Sequence, residues 1–225
     1  MKILKKLQEL FVQYVYADHN NSPSVKKALK PLIKSLNDPG KSGLNIGSGE
    51  THLHPNIKNL DIFPGKYVDI VAQAEDIPCE NESFDIIITQ ETLEHVRDPF
   101  KAMNEINRLL KKDGKVYIQL PFIIGYHPGP TDFWRFTREG ILELAVRNNL
   151  KIIEVGITVG GGSGYYRISV EFFSCLIAIP LFFAYKPLKA FFSVVLIPLK
   201  VFDIFFKLSK QKDRIPGGYY IVAQK

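Results

Sequence analysis

Hydrophobic and polar positions change period several times along this chain. From residue 2 to 16, Ile3, Leu4, Leu7, Leu10, Phe11, Tyr14 and Val15 recur at helical spacing, with Lys2, Lys5 and Lys6 off the stripe. Val25, Leu29, Leu32, Ile33 and Leu36 predict a second helix over about 24–36, stopped by Asn37-Asp38-Pro39-Gly40. Short apolar runs then alternate with helical spacing. Strands are predicted near 43–47, 57–62, 68–72, 84–89, 115–120, 151–158 and 218–224. Between the fourth and fifth, Asp98-Pro99 reads as an N-cap and first-turn proline. Phe100, Met103, Ile106, Leu109 and Leu110 form the expected buried face, and Gly114 the expected stop. Thr137 is the expected N-cap of a helix reaching about Asn148. Strands separated by helices imply an α/β chain with a doubly wound, mostly parallel sheet.

Residues 168–208 break this alternation. The longest uncharged run, Phe172–Tyr185, contains Pro180. At 1.5 Å per residue it spans about 21 Å, short of a hydrocarbon core of roughly 30 Å. Phenylalanines concentrate here, punctuated by Lys186, Lys189, Lys200 and Lys207, whose stems let the ammonium groups reach lipid headgroups. The pattern favours a helical hairpin lying in one leaflet, ahead of a lid or dimer interface, and ahead of a spanning helix.

Charge sharpens that picture. The 225 residues carry a formal net charge of +6. Residues 165–214 hold eight Lys or Arg (Arg167, Lys186, Lys189, Lys200, Lys207, Lys210, Lys212, Arg214) against Glu171, Asp203 and Asp213, so +5 lies there. A basic segment that is also the most apolar one suits an anionic membrane surface, not nucleic acid. Cys79 and Cys175 are far apart and imply neither a disulfide framework nor a metal site, so a cytoplasmic setting is expected. No metal is expected elsewhere, and the oligomeric state stays open.

The chemistry concentrates after the first strand. Leu44-Asn45-Ile46 runs into Gly47-Ser48-Gly49, and Asn59-Leu60-Asp61-Ile62 follows about a dozen residues later. Glycines let the backbone approach a ligand closely, and a carboxylate at the next strand end can accept from two ribose hydroxyls. A dinucleotide fingerprint needs a third glycine opening a helix; His52 stands there and Pro55 follows. A ligand with a ribose but no pyrophosphate fits better, which disfavours a nicotinamide enzyme.

These residues, with Val68–Pro78, Ser83–Val96, Glu105–Gly114 and Lys115–Pro121, resemble a class I S-adenosylmethionine-dependent methyltransferase of the type 11-like branch with a short first helix. The resemblance implies a Rossmann-like, seven-stranded sheet with an antiparallel last strand, preceded by the apolar helical insertion. It divides the chain into N-terminal helices (1–40), a methyltransferase domain (41–165 and 215–225) and a membrane-surface insertion (166–214). It implies S-adenosyl-L-methionine as cofactor, held by Gly47, Ser48, Gly49, Asp61, Ile62, Gln73, Ala74 and Gln90. Gln73 stands where the family places an aspartate against the adenine amino group, and its carbonyl accepts the same bond. The Ala74 N–H is expected to meet an adenine ring nitrogen, with Asp76 as a weaker alternative.

After the fifth strand, the loop from Gly125 to Thr137 carries His127, Asp132, Arg135 and the chain's only tryptophan, Trp134. It resembles a loop of methyltransferases encoded with cell-surface polysaccharide genes. Its place at the carboxyl ends of the strands suits substrate recognition or acid–base chemistry. His127 is the first candidate base, with His95 and Asp132 behind it; Asp132–Arg135 as an internal pair is the competing reading. The implied function is methyl transfer to a small-molecule, glycan or lipid-linked acceptor by a peripheral enzyme on the inner face of the membrane. The alternative is a catalytically silent methyltransferase-like module that docks at membranes.

Overall fold

In the computed structural model of the chain, residues 18–225 are described. The helical stripe expected over residues 2–16 lies outside them. Two compact units are present. One holds the described residues up to Val25, together with Phe122–Tyr126 and Ile157–Gly218; the other holds Lys26–Pro121, His127–Gly156 and Tyr219–Lys225.

The second unit is built on a seven-stranded sheet. Its strands are β1 (Gly43–Ile46), β2 (Ile57–Asp61), β3 (Ile70–Val71), β4 (Phe84–Gln90), β5 (Leu110–Pro121), β6 (Lys151–Ile157) and β7 (Gly218–Gln224), in the order β3-β2-β1-β4-β5-β7-β6. β1 pairs in parallel with β2 and β4, and β4 with β5. Lys225 N–H donates to the Gly114 carbonyl at one end of β7, and Phe122 N–H to that of Gly217 at the other. β7 therefore runs antiparallel to β5, as expected. The central strands are apolar on both faces, which a sheet covered on both sides requires: Leu44, Ile46, Ile87, Ile88 and Ile118 are fully buried.

The helices of this unit are α1 (Pro23–Ser35, entering from the first unit), α2 (Pro99–Leu109) and α3 (Arg138–Val146). Asp98 caps α2 by accepting from the Phe100 and Lys101 N–H groups, and Thr137 caps α3 by accepting from Gly140 N–H. Two expectations change. Phe100 is partly exposed, with the Arg147 guanidinium 4.8 Å above its ring. Gly114 does not stop α2, which ends at Leu109. Phe84 pairs with Leu110, but Ile86 pairs with Lys115, so β5 carries a bulge. Asp113 takes φ +64° there, and a Cβ on Gly114 would lie 2.8 Å from the Lys111 carbonyl.

The first unit is helical: α4 (Gly161–Ala178), α5 (Tyr185–Val195) and the short α6 (Asp203–Phe206), with 3-10 turns at Phe182–Ala184 and Ile197–Phe202. Tyr166 OH donates to the Ser193 carbonyl at 2.7 Å, and Lys189 pairs with Glu171 at 2.5 Å. Early α4 thus meets late α5, which defines the antiparallel hairpin expected from the sequence. Asp203 closes it by accepting from the Gly160 and Ser163 N–H groups and the Ser163 hydroxyl. A Cβ on Gly162 would come within 2.6 Å of the Leu199 carbonyl, so the close packing needs glycine. Among the described residues, no helix is long and apolar enough to cross a membrane.

Candidate active site

In an open α/β sheet the ligand crevice lies beyond the carboxyl ends of the strands, where the strand order reverses. Here that point is between β1 and β4. A cavity of about 480 Å³ opens there, lined by Gly47 after β1, Asp61 and Ile62 at the end of β2, Gln73 and Ala74 after β3, and Glu91 and Thr92 after β4. Its volume is in the range of small-molecule sites.

The glycine turn is held from several directions. Gly47 and Ser48 N–H both donate to the Leu60 carbonyl, at 2.8 and 3.0 Å. Gly47 takes φ +70°, and a Cβ there would fall 2.2 Å from the Thr92 hydroxyl. Thr92 in turn donates to the Ile46 carbonyl, 3.1 Å away. Gly49 takes φ +51°, and its N–H donates to Asp61 Oδ2 at 2.9 Å. Asp61 Oδ1 accepts from Phe63 N–H. A carboxylate offers about four acceptor positions, and these two contacts occupy two of them. Ser48 is buried and does not line the cavity.

The segment after β3 is clamped from α2. Glu105 accepts from Ile77 N–H at 3.0 Å. Arg108 donates to Glu105, to the Ile77 and Cys79 carbonyls and to Asn81. The neighbouring guanidinium holds the Glu105 carboxyl below its ordinary value, against its partial burial. A pair three residues apart on one helix therefore fixes the loop that presents Gln73 and Ala74. Asp76 bridges back to Gln73 and does not line the cavity.

Gln90 is turned elsewhere. Its side-chain N–H donates to Gln119 Oε1, which also accepts from the Tyr117 hydroxyl, while Gln119 Nε2 donates to Glu91. Its partners lie within the sheet, and Glu91 and Thr92 take the cavity wall.

The loop after β5 folds over the other end. Phe133 and Trp134 N–H donate to the Glu94 carbonyl, the Thr131 hydroxyl to that of His95, and Trp134 Nε1–H to that of Val96. His95, Val96, Arg97, Pro130, Thr131 and Phe133 line the cavity. Of the three candidate bases, only His95 does. Asp132 is 1 % exposed at its side chain, paired with Arg135 through both oxygens at 2.6 Å. Burial pushes its carboxyl up, but Arg135 and the His127 N–H outweigh that and hold it at about 2, too acidic for a general base at neutral pH. Trp134 is 40 % exposed and outside the core.

Behind His95 the fold brings His127, the other candidate histidine, to a buried carboxyl that was not among the candidates. Glu94 is fully buried, and neither of its carboxylate oxygens has a hydrogen-bond partner. Its Oε1 lies 3.5 Å from His95 Nε2 and 3.7 Å from His127 Nε2. The two imidazoles stand edge to face, 5.1 Å apart. His95 Nδ1–H donates to the Thr131 carbonyl, which leaves Nε2 with its lone pair in the neutral ring. Burial, with the Glu91 charge adding to it, pushes the Glu94 carboxyl up to about 7 against the opposing pull of His127, and burial lowers His95. The sequence signal was Glu94-His95 directly after β4; that His127 joins them is visible only in three dimensions.

Comparison with known proteins agrees with this geometry. The family model described as a methyltransferase domain matches residues 46–118, from the glycine turn into β5. Over those residues, about a third of its length, the chain is similar to that methyltransferase domain. An uncharacterized protein of Methanocaldococcus jannaschii is 39% identical over 49 residues, 22% of this chain and 24% of its own length. The chain thus aligns with about a quarter of that curated relative. Among solved structures, the [4+2]-cyclase SpnF superposes with a TM-score of 0.55 at 15% identity, covering 90% of this chain and 81% of that one. A putative sarcosine dimethylglycine methyltransferase from Galdieria sulphuraria gives 0.52 at 16% identity, over 88% and 83%. Phosphoethanolamine N-methyltransferase 2 of Haemonchus contortus, solved with S-adenosyl-L-methionine, gives 0.51 at 18% identity, over 88% of this chain and 52% of its own. At these identities the structural likeness speaks for the fold.

Proposed function

We propose that this protein transfers a methyl group from S-adenosylmethionine to a glycan-type or lipid-linked acceptor at a membrane face. The carrying observation is the Asp61 carboxylate. It is tied to the glycine turn through Gly49 N–H and retains acceptor positions on a cavity that Gly47, Gln73 and Ala74 also line. When bound, the cofactor supplies a methyl carbon made electrophilic by its sulfonium. Asp61 holds the ribose hydroxyls, and Gln73 and Ala74 orient the adenine. Pro130, Thr131 and Phe133 cover the acceptor end, aligning the nucleophile and excluding water, which is most of what this displacement asks of a protein. Calorimetry with S-adenosylmethionine and its demethylated product tests the cofactor site. Labelled methyl transfer into lipid and polysaccharide fractions then tests the acceptor. A module without activity gives no heat and no label.

Membrane attachment is supported by the apolar outer face of the helical unit. Ser163, Ser169, Ser174 and Ser193 are buried, with Arg167 nearly so, while Phe172, Ile179, Phe183, Phe191, Phe205 and Leu208 face outward. Ile179 is 76% exposed, Phe183 70% and Leu208 85%, far beyond scattered single apolar residues. The exposed Lys186, Lys207, Lys210 and Lys212 supply the charge that an anionic leaflet attracts. Flotation with vesicles containing acidic lipid tests this; protein that stays at the bottom of the gradient refutes it.

A further inference from the structure

We infer that Glu94, His95 and His127 form a binding site for a divalent first-row transition cation at the acceptor end of the cavity. Each residue offers one donor atom, and the three atoms lie within 4.8 Å of one another. Around a cation with bonds of ~2.1 Å, three such donors stand ~3.0–3.6 Å apart. The Glu94–His95 separation of 3.5 Å is already there, the Glu94–His127 separation of 3.7 Å needs a shift of about a tenth of an ångström, and the two imidazole donors, within 4.8 Å of each other, must reach the same range.

The second, independent observation is the state of Glu94. A carboxyl this deeply buried, with no hydrogen bond on either oxygen, is costly as an anion and is neutralised either by a proton or by a cation beside it. The outer contact of His95 matches those that orient metal-bound imidazoles, while that of His127 must rearrange. His95 presents Nε2 because its Nδ1–H is committed to the Thr131 carbonyl. Behind His127 stands Asp132, its Oδ2 3.5 Å from Nδ1. Arg135 Nη2, 3.1 Å from the same Nδ1, donates to it. Loading therefore requires His127 Nδ1 to carry the proton and turn it to Asp132, releasing the Arg135 contact.

Two imidazoles and one carboxylate suit Mn²⁺, Co²⁺ or Zn²⁺ more than Mg²⁺ or Ca²⁺, which prefer all-oxygen shells. Because His95 lines the cavity, a cation on its Nε2 stands where an acceptor enters, with positions left for an acceptor hydroxyl whose proton it would make more acidic. His95 and His127 then act as ligands, not as proton acceptors. Cation binding itself does not depend on the methyl-transfer reading; only its role there does.

The test uses the full chain, stripped with a chelator, freed of it, and titrated with Mn²⁺ without cofactor. Electron paramagnetic resonance reports the free ion. A single equivalent is expected to bind, at least about tenfold more weakly in both Glu94→Gln and His95→Gln. Zn²⁺ should displace it and Mg²⁺ should not. Asp61→Ala should bind Mn²⁺ as the unsubstituted protein does, so loss of the cofactor site and loss of the cation site are told apart. Spin-echo modulation of Mn²⁺ in the unsubstituted protein should show imidazole nitrogen, a readout independent of any variant's folding. No stoichiometric Mn²⁺, bound Mn²⁺ without nitrogen coupling, displacement by Mg²⁺, or unchanged affinity in both variants would overturn the assignment.

Discussion

Asp61 Oδ2 accepts the Gly49 N–H at 2.9 Å, so the carboxylate that ends β2 also fastens the turn that ends β1. On the proposed function, ligand binding and loop geometry share one side chain. Asp61→Ala should lower affinity for S-adenosylhomocysteine by about tenfold to a hundredfold, from the loss of charged hydrogen bonds worth ~1.5–3 kcal/mol. Isothermal calorimetry reads this directly.

Gly47 and Gly49 should respond differently to alanine. Both have positive φ, but a Cβ on Gly47 would strike Thr92, while one on Gly49 meets nothing within 4 Å. Gly47→Ala is expected to cost about 2–4 kcal/mol, strain plus overpacking. Gly49→Ala should cost about 1 kcal/mol, the backbone conformation alone. Urea midpoints of the two variants rank them; equal midpoints would contradict the Thr92 contact.

Arg108 acts on the site without lining it. Removing its guanidinium by Arg108→Ala frees the Ile77 and Cys79 carbonyls and Asn81. Amide exchange should quicken across 73–82, and cofactor affinity should fall by about tenfold while the cofactor-free fold persists.

Asp85 links stability to pH. It accepts from Lys41 and Lys111, each at 2.8 Å, and from the Ser42 N–H. Burial raises its pKa, but the two ammonium groups and the amide outweigh that and hold it well below the ordinary aspartate range. Its stabilisation is thus fully present above about pH 4 and is lost as pH falls through the lower, folded value. Asp85→Asn should cost about 1–2 kcal/mol at neutral pH, discounted because both lysines are partly exposed. The gap between variant and parent should close in acid, as chemical denaturation at a series of pH values would show.

Membrane binding should be part electrostatic and part apolar. Replacing Lys186, Lys207, Lys210 and Lys212 with Gln should weaken flotation with acidic vesicles by up to about 1 kcal/mol per charge, and added salt should weaken the parent similarly. Phe183→Glu should weaken it at any salt.

Much of this was legible in the residue order because it is local. The switch between helical and alternating periods marked the strands, Asp98 and Thr137 announced the helix starts, and Gly47-Ser48-Gly49 with Asp61 marked the turn and carboxylate beside the cavity. These features depend on neighbours a few residues apart, whose steric and hydrogen-bonding preferences hold in most contexts. Gln90 defeated that reading because strand position does not say which partner a side chain takes, and Gln119 on the adjacent strand claimed it. Gly114 did so because register with β4, not helix termination, set its role. Whether the serines of α4 and α5 are covered, or Glu94 meets His127, depends on packing between segments far apart in the chain. Such contacts exist only once the backbone has closed on itself, so the tertiary structure alone decided them.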